Sequence, residues 1–100
     1  MWAQLIKARV KAGAEDEIHQ LQDEFMARGR DGSTGWVRSV VLQNQDDPQE
    51  YYNIVFFESE EKARANEGTP QQQELVSRLQ SLFEGRPEFV NLIPVNEYNR

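Results

Sequence analysis

The chain contains no cysteine, and this absence removes several classes of chemistry at once. Disulfide frameworks, thiolate nucleophiles and cysteine-ligated zinc are all excluded. A single histidine, His19, also excludes a histidine-rich metal site within one subunit. We therefore expect no metal and no other cofactor. These residue types also identify no catalytic residue.

Positive charge and long apolar runs are also scarce. Eleven Lys and Arg stand against seventeen Asp and Glu, for a net charge of −6, whereas a nucleic-acid binder needs a basic face. No apolar run approaches the ~18 residues of a membrane span, and Met1–Lys7 has no basic segment leading an apolar run. We expect a cytoplasmic protein that binds neither nucleic acid nor membrane.

What is present is enough for a folded unit. The 100 residues weigh 11.6 kDa, 38% of them are hydrophobic and 28% are charged, which excludes general disorder. This length suits one core and is too short for two. We predict a single domain over residues 1–100.

Hydrophobic periodicity predicts four strands and two helical regions. Ile18, Leu21 and Phe25 lie at helical spacing, whereas alternating or two-sided apolar segments predict strands. Ser59 and Thr69 are predicted N-caps, so the second helical region is interrupted near Gly68. The predicted strands are Trp2–Val10, Trp36–Gln43, Tyr51–Phe57 and Phe89–Val95; the helical regions begin at Ala14 and Glu60 and end at Gly29 and Gly85.

The order βαββαβ predicts a ferredoxin-like α+β fold, a four-stranded antiparallel sheet with helices on one face. The last three strands are apolar on both faces, yet helices cover only one face. We therefore expect a homodimer through the open sheet face. RNA-recognition domains share this order, but the stretch Glu50–Phe56 lacks their basic residue and glycine, so we exclude that class.

The chain resembles the antibiotic biosynthesis monooxygenase (ABM) family of dimeric α/β barrels. The resemblance covers nearly all 100 residues and rests on fold markers rather than a catalytic signature. It implies two monomers packed sheet to sheet, each with a pocket between its sheet and its helices. Known members include cofactor-independent monooxygenases of phenols and quinols and haem-degrading enzymes. The markers are the first strand ending at Gly13, the entry Gly32–Trp36, the stretch Ile54–Ser59, the break at Thr69-Pro70 and the strand Phe89–Val95.

Several positions depart from the family pattern. Phe57 stands where the third strand usually ends in Trp, and Asn66 and Gln71 stand where many members carry His. In the haem-degrading branch, the iron-ligating His matches Val76, which has no lone pair for iron. The Trp of that branch matches Asn66, and the Asn of strand one matches Ile6, or Lys7 if the match shifts by one residue. We therefore predict no productive haem chemistry.

Three amide side chains interrupt strand faces that are otherwise apolar: Gln4, Asn53 and Asn91. A buried amide without partners costs about 1–3 kcal/mol, so each is expected to have a use. One interpretation is an amide network that ties strands together. The other is a pocket wall that hydrogen-bonds a carbonyl or phenolate oxygen of a ligand.

Three further candidates for substrate binding lie around the helix break: Arg64, Asn66 and Gln71. The resemblance places this region at the wall of the pocket. Arg64 either steadies a substrate anion or pairs with Glu60 or Glu61 on a wet surface.

Two functions follow from these expectations. The first is a cofactor-independent monooxygenase of the ABM type, which acts on a phenolic or quinol-like small molecule. The second is a non-catalytic dimeric ligand-binding or stress-related module that keeps the fold. His19 is interpreted as a half-exposed side chain beside Glu15, with a general-base role as the alternative. An amide-lined cavity favours the enzyme, and a filled interior favours the module.

Overall fold

The computed structural model describes residues 1–100 and contains one antiparallel sheet and three helices. The strand order is β2-β3-β1-β4, so the two central strands are the third and the first along the chain. The predicted ferredoxin-like α+β fold is confirmed. The elements are β1 Trp2–Arg9, α1 Glu15–Gly29, β2 Trp36–Gln43, β3 Glu50–Phe57, α2 Glu60–Glu67, α3 Pro70–Gln80 and β4 Glu88–Leu92.

The predicted helix boundaries around the break are confirmed. The Ser59 hydroxyl accepts from the backbone N–H of Lys62 at 3.2 Å, and the Thr69 hydroxyl accepts from that of Gln72 at 3.2 Å. Each cap satisfies a backbone donor that the first turn of a helix leaves without an intrahelical partner. The break therefore separates α2 from α3.

The fourth strand is shorter than predicted. It ends at Leu92 rather than Val95, and the side chains of Ile93 and Val95 are 75% and 84% exposed. Leu92 pairs with Ala3, so β1 offers almost no further partner beyond this point. Pro94 also lacks the N–H that would continue the ladder.

The helices pack against one sheet face and form its core there. One buried cluster joins Trp2, Val55 and Phe57 to Ala63 of α2. A second cluster at the other end joins Val10 to Ala14 and Ile18 of the α1 region. Because these clusters are separate, the middle of the layer between sheet and helices is not filled by buried side chains.

The opposite sheet face is apolar and has no helix over it. The register places rows of side chains across all four strands on this face, one of which is Val90, Leu5, Ile54 and Val40. Val90 is 47% exposed, and Leu42 in the next row is 48% exposed. This is the face that the sequence predicts to be apolar and uncovered.

The tail after Leu92 crosses one end of the sheet. Arg38 of β2 and Glu97 form an ion pair at 3.3 Å, although β2 and β4 are the two opposite edges of the sheet. The two edge strands are three strand spacings of about 4.8 Å apart, and five extended residues reach roughly 17 Å, which is enough to span that distance. Residues 93–97 therefore run from one edge to the other.

A charged cluster ties together the other end of the sheet. Arg9 contacts Asp47 of the β2–β3 hairpin at 2.7 Å and Glu84 of the α3–β4 connection at 3.2 Å. The hydrogen bond from Arg9 and the backbone N–H of Gln49 hold the pKa of Asp47 below its usual 3.8. The hairpin and the α3–β4 connection are thus held against the end of β1.

Two glycines of the α1–β2 connection provide a matched test of close packing. Gly32 and Gly35 both have positive φ, +83° and +76°. A Cβ on Gly35 would lie 2.7 Å from Lys62 Cβ, whereas a Cβ on Gly32 would meet nothing within 4 Å. Gly35→Ala therefore adds a clash with α2 to the backbone strain of about 1–2 kcal/mol that both substitutions share.

We expect Gly35→Ala to lower the free energy of unfolding by at least about 1 kcal/mol more than Gly32→Ala, because overpacking adds its own cost. Urea denaturation of both variants measures the difference. Equal losses in the two variants would show that α2 moves aside without cost.

Candidate functional site

A cavity of about 450 Å³ lies between the sheet and the helices. Its size is within the range of small-molecule sites, and hydrophobic side chains make up most of its lining. The cavity exists because the two core clusters leave the middle of this layer open and because Ala8 of β1 is small. The structure thus has a pocket at the predicted position, between the sheet and the helices.

Both walls of the cavity mix apolar side chains with amides. β1 and β3 form the sheet wall, and α1, α2 and α3 form the helix wall. The polar side chains in the lining are Gln4, Gln22, Asn53, Asn66, Glu67, Gln72, Gln73, Ser77 and Gln80.

Asn53 contributes an unpaired acceptor to the sheet wall. Its Oδ1 is buried and has no hydrogen-bond partner. The cause is the register, since Ile6 of β1 and Val41 of β2 are its direct neighbours and neither carries a polar side chain. An unpaired buried amide oxygen is costly, and a ligand in the cavity that donates a hydrogen bond would satisfy it.

Gln4 and Asn91 form the pair that an amide network would require. They are direct neighbours in the β1–β4 register, and Gln4 Nε2 donates to Asn91 Oδ1 at 3.1 Å. Gln4 lines the cavity, whereas Asn91 is exposed and lies outside the lining. The three strand amides therefore divide into a bonded pair and the unpaired Asn53.

Asn66 is the most buried of the candidate polar residues, with 6% of its surface exposed. Its Oδ1 accepts from Arg28 Nη2 at 3.0 Å, and the same nitrogen donates to Gln72 Oε1. Arg28 and Gln72 were not among the predicted site residues, because nothing in the local sequence indicates that the last turn of α1 and the first turn of α3 meet.

Arg64 and Gln71 lie outside this cavity. Arg64 pairs with Glu67 at 3.0 Å and with Glu60 at 3.4 Å on the surface, and Glu67 is the first cause that raises the pKa of Arg64. Its guanidinium also lies 5.2 Å from the centre of the Trp2 ring. Gln71 lines a separate polar cleft, which Arg28 and Asn66 also line.

The cavity offers little acid–base chemistry of its own. Glu67 is the one ionisable carboxylate in its lining, and it is paired with Arg64. His19 is exposed on α1 and does not line the cavity. No group of three or more His, Asp or Glu side chains is placed to hold a metal ion, and no helix is long and apolar enough to cross a membrane.

The chain belongs to the antibiotic biosynthesis monooxygenase family, whose model matches residues 1–78. No curated protein sequence matches the chain at a significant level.

Solved structures share the fold at low sequence identity. SnoaB, a cofactor-independent oxygenase from Streptomyces nogalater solved as an N63A variant, is 16% identical with a TM-score of 0.79, covering 99% of this chain and 98% of its own. A candidate antibiotic biosynthesis monooxygenase from Chloroflexus aurantiacus J-10-fl is 23% identical with a TM-score of 0.74, covering 99% and 98%. Rv0793 from Mycobacterium tuberculosis is 15% identical with a TM-score of 0.78, covering 98% of each chain. At these identities the likeness shows the fold alone.

The unpaired Asn53 oxygen generates a prediction about the empty protein. We expect Asn53→Leu to raise the free energy of unfolding by about 1 kcal/mol, because it removes a buried acceptor that has no partner. Asn66→Leu is the matched contrast and should lower it by about 1–3 kcal/mol, because Arg28 loses an acceptor. Chemical denaturation without ligand measures both, and a loss of equal size in the two variants contradicts the assignment.

Proposed function

We propose that this protein is a cofactor-independent monooxygenase that binds a planar phenolic or quinol-like molecule between its sheet and its helices. The observation that carries the proposal is the apolar cavity of about 450 Å³ with the unpaired Asn53 amide in its wall. The family membership and the SnoaB-like fold support the same reaction class.

The residues in the cavity would serve such a substrate in two ways. The apolar walls, including Trp2, Phe25 and Phe57, accept a flat ring and exclude water. The N–H group of Asn66 can stabilise the anion that forms when the substrate loses a proton, and Asn53 Oδ1 can accept a hydrogen bond from a substrate hydroxyl. The protein then needs to supply orientation and charge stabilisation only.

The reaction balances without an added reductant. The substrate anion reacts with O₂ at an activated ring carbon, which gains one oxygen atom as a carbonyl and loses two hydrogens. The second oxygen atom leaves as water, so the substrate itself supplies the electrons. No histidine or lysine lines the cavity to act as a general base, so the substrate must be acidic enough to lose its proton without a strong base.

Anthrone, a tricyclic molecule with such an activated carbon, tests this proposal. We expect the protein to accelerate its conversion to anthraquinone at least tenfold over the spontaneous reaction, with one O₂ consumed per product. Asn53→Leu and Asn66→Ala should each lower the rate at least tenfold, which is about 1.4 kcal/mol of transition-state stabilisation. An oxygen electrode measures the consumption of O₂, and absorbance measures the conversion of anthrone to anthraquinone.

His19→Ala is the control variant, because His19 is exposed and outside the lining. Its rate should stay within a few-fold of the unmodified protein. Full activity in both amide variants, combined with loss of activity in His19→Ala, would place the chemistry on α1 and overturn the assignment.

A ligand-binding module without catalysis is the second candidate, and the single, already paired carboxylate of the lining favours it. The anthrone assay separates the two functions. Saturable binding of anthrone without faster O₂ consumption supports the module.

We also propose that the working form is a homodimer through the open sheet face. This face presents apolar rows flanked by Lys7 and Glu50, which lie 3.7 Å apart. A two-fold axis would place apolar rows against apolar rows and let the basic and acidic side chains at the rim meet. A stable interface needs about 800 Å² from each partner. The exposed apolar side chains of this face and of the tail, such as Val90, Val95 and Tyr98, would contribute to that area.

Light scattering after size exclusion tests the dimer at micromolar concentration. We expect a species of twice 11.6 kDa. Ile54→Lys places a charge in the middle of the open face and should yield a monomer, whereas Gln20→Lys on the exposed surface of α1 should not. A folded 11.6 kDa species from the unmodified chain would contradict the proposal.

A further inference from the structure

Arg28 lies where the ends of three helices meet. It belongs to the last turn of α1, and its Nη2 donates to Asn66 Oδ1 near the end of α2 at 3.0 Å. The same nitrogen donates to Gln72 Oε1 in the first turn of α3. Arg28 is half-buried and lines the separate polar cleft rather than the cavity; Gln72 lines the cavity, and Asn66 lines both.

This contact determines which way the two amides point. A guanidinium only donates hydrogen bonds, so it binds the oxygen of each amide and never the nitrogen. The Nδ2 group of Asn66 and the Nε2 group of Gln72 are therefore turned away from Arg28. Neither nitrogen donates to any acceptor within the chain, and both residues line the cavity, so both N–H groups lack a partner, which a ligand there could supply.

The charge on Arg28 strengthens this arrangement. None of the eight ion pairs of the protein includes Arg28, so no carboxylate neutralises it. An unneutralised cation polarises the amides that it binds, and their N–H groups become better donors. Arg28 thus places a positive charge beside the two amides, although Glu67 of the same lining and the net charge of −6 are negative.

We propose that Arg28 is a positioning residue that orients Asn66 and Gln72 as paired donors and so makes the cavity select ligands with an anionic oxygen. The inference rests on the proposed function and names the feature of the substrate that this wall recognises: an enolate or phenolate oxygen on a flat ring. A ligand that also carries a hydroxyl would satisfy Asn53 on the sheet wall.

Two naphthoquinones of similar size test this selectivity. Lawsone carries a ring hydroxyl that is ionised at neutral pH, and menadione carries a methyl group at the corresponding carbon. We expect the unmodified protein to bind lawsone at least tenfold more tightly than menadione. Isothermal titration calorimetry at neutral pH measures both dissociation constants.

Substitutions at Arg28 separate orientation from packing. Arg28→Met keeps an unbranched apolar stem but removes the donor and the charge, so the lawsone-to-menadione ratio should fall below threefold while menadione affinity changes less than threefold. Arg28→Lys keeps a donor and the charge and should hold the ratio within threefold of the unmodified protein. A purely structural role predicts equal losses for both quinones in Arg28→Met, and that result would overturn the proposal.

Gln72→Glu decides the question if Arg28→Met does not fold. The new carboxylate should form an ion pair with Arg28 and raise the melting temperature, yet it offers no N–H to the ligand. Lawsone affinity should therefore fall at least tenfold while menadione affinity changes less than threefold. An unchanged ratio in Gln72→Glu overturns the proposal.

The outcomes for the unmodified protein distinguish this inference from the proposed function. Equal affinity for lawsone and menadione overturns the role of Arg28 and leaves the cavity as a site for flat aromatic ligands. Binding of neither quinone counts against both.

Discussion

The structure depends on one constraint: a four-stranded sheet has two faces, and this chain covers only one of them with helices. On the covered face, two separate core clusters leave a cavity between them. On the other face, apolar rows such as Val90, Leu5, Ile54 and Val40 remain at the surface. The single layer of helices thus defines both the candidate ligand site, which lies beneath it, and the uncovered surface that we propose to be a dimer interface.

What each amide in the cavity can bind depends on which of its atoms already have a hydrogen-bond partner within the chain. Gln4 is bonded to Asn91 and serves the sheet, whereas Asn53 lies between Ile6 and Val41 and has nothing to bond. Asn66 and Gln72 are satisfied at their oxygens only. When the oxygen of an amide is hydrogen-bonded within the chain, its N–H group remains for a ligand and recognises an acceptor. When the oxygen is unpaired, it recognises a ligand that donates.

Family membership and site chemistry support the proposed function in different ways. The family match covers residues 1–78 and establishes the class of fold, and relatives near 16% identity preserve the backbone rather than the side chains of a site. The residues that line this cavity, rather than those of the relatives, therefore carry the proposed chemistry. A lining with amides, flat apolar walls and one paired carboxylate suits a substrate that brings its own acidity and reducing electrons.

The order of elements, the caps at Ser59 and Thr69 and the two-sided apolar strands could be predicted from the sequence, because they depend on neighbours a few residues apart. Asn53 and Asn66 could also be singled out as candidate polar residues. The end of β4 at Leu92 could not be predicted in this way, since it depends on where β1 begins. The tertiary structure also brought Arg28 to Asn66 and Gln72, which lie 38 and 44 residues away along the chain. Periodicity reports which face a residue occupies, and it carries no information about which distant residue meets it there.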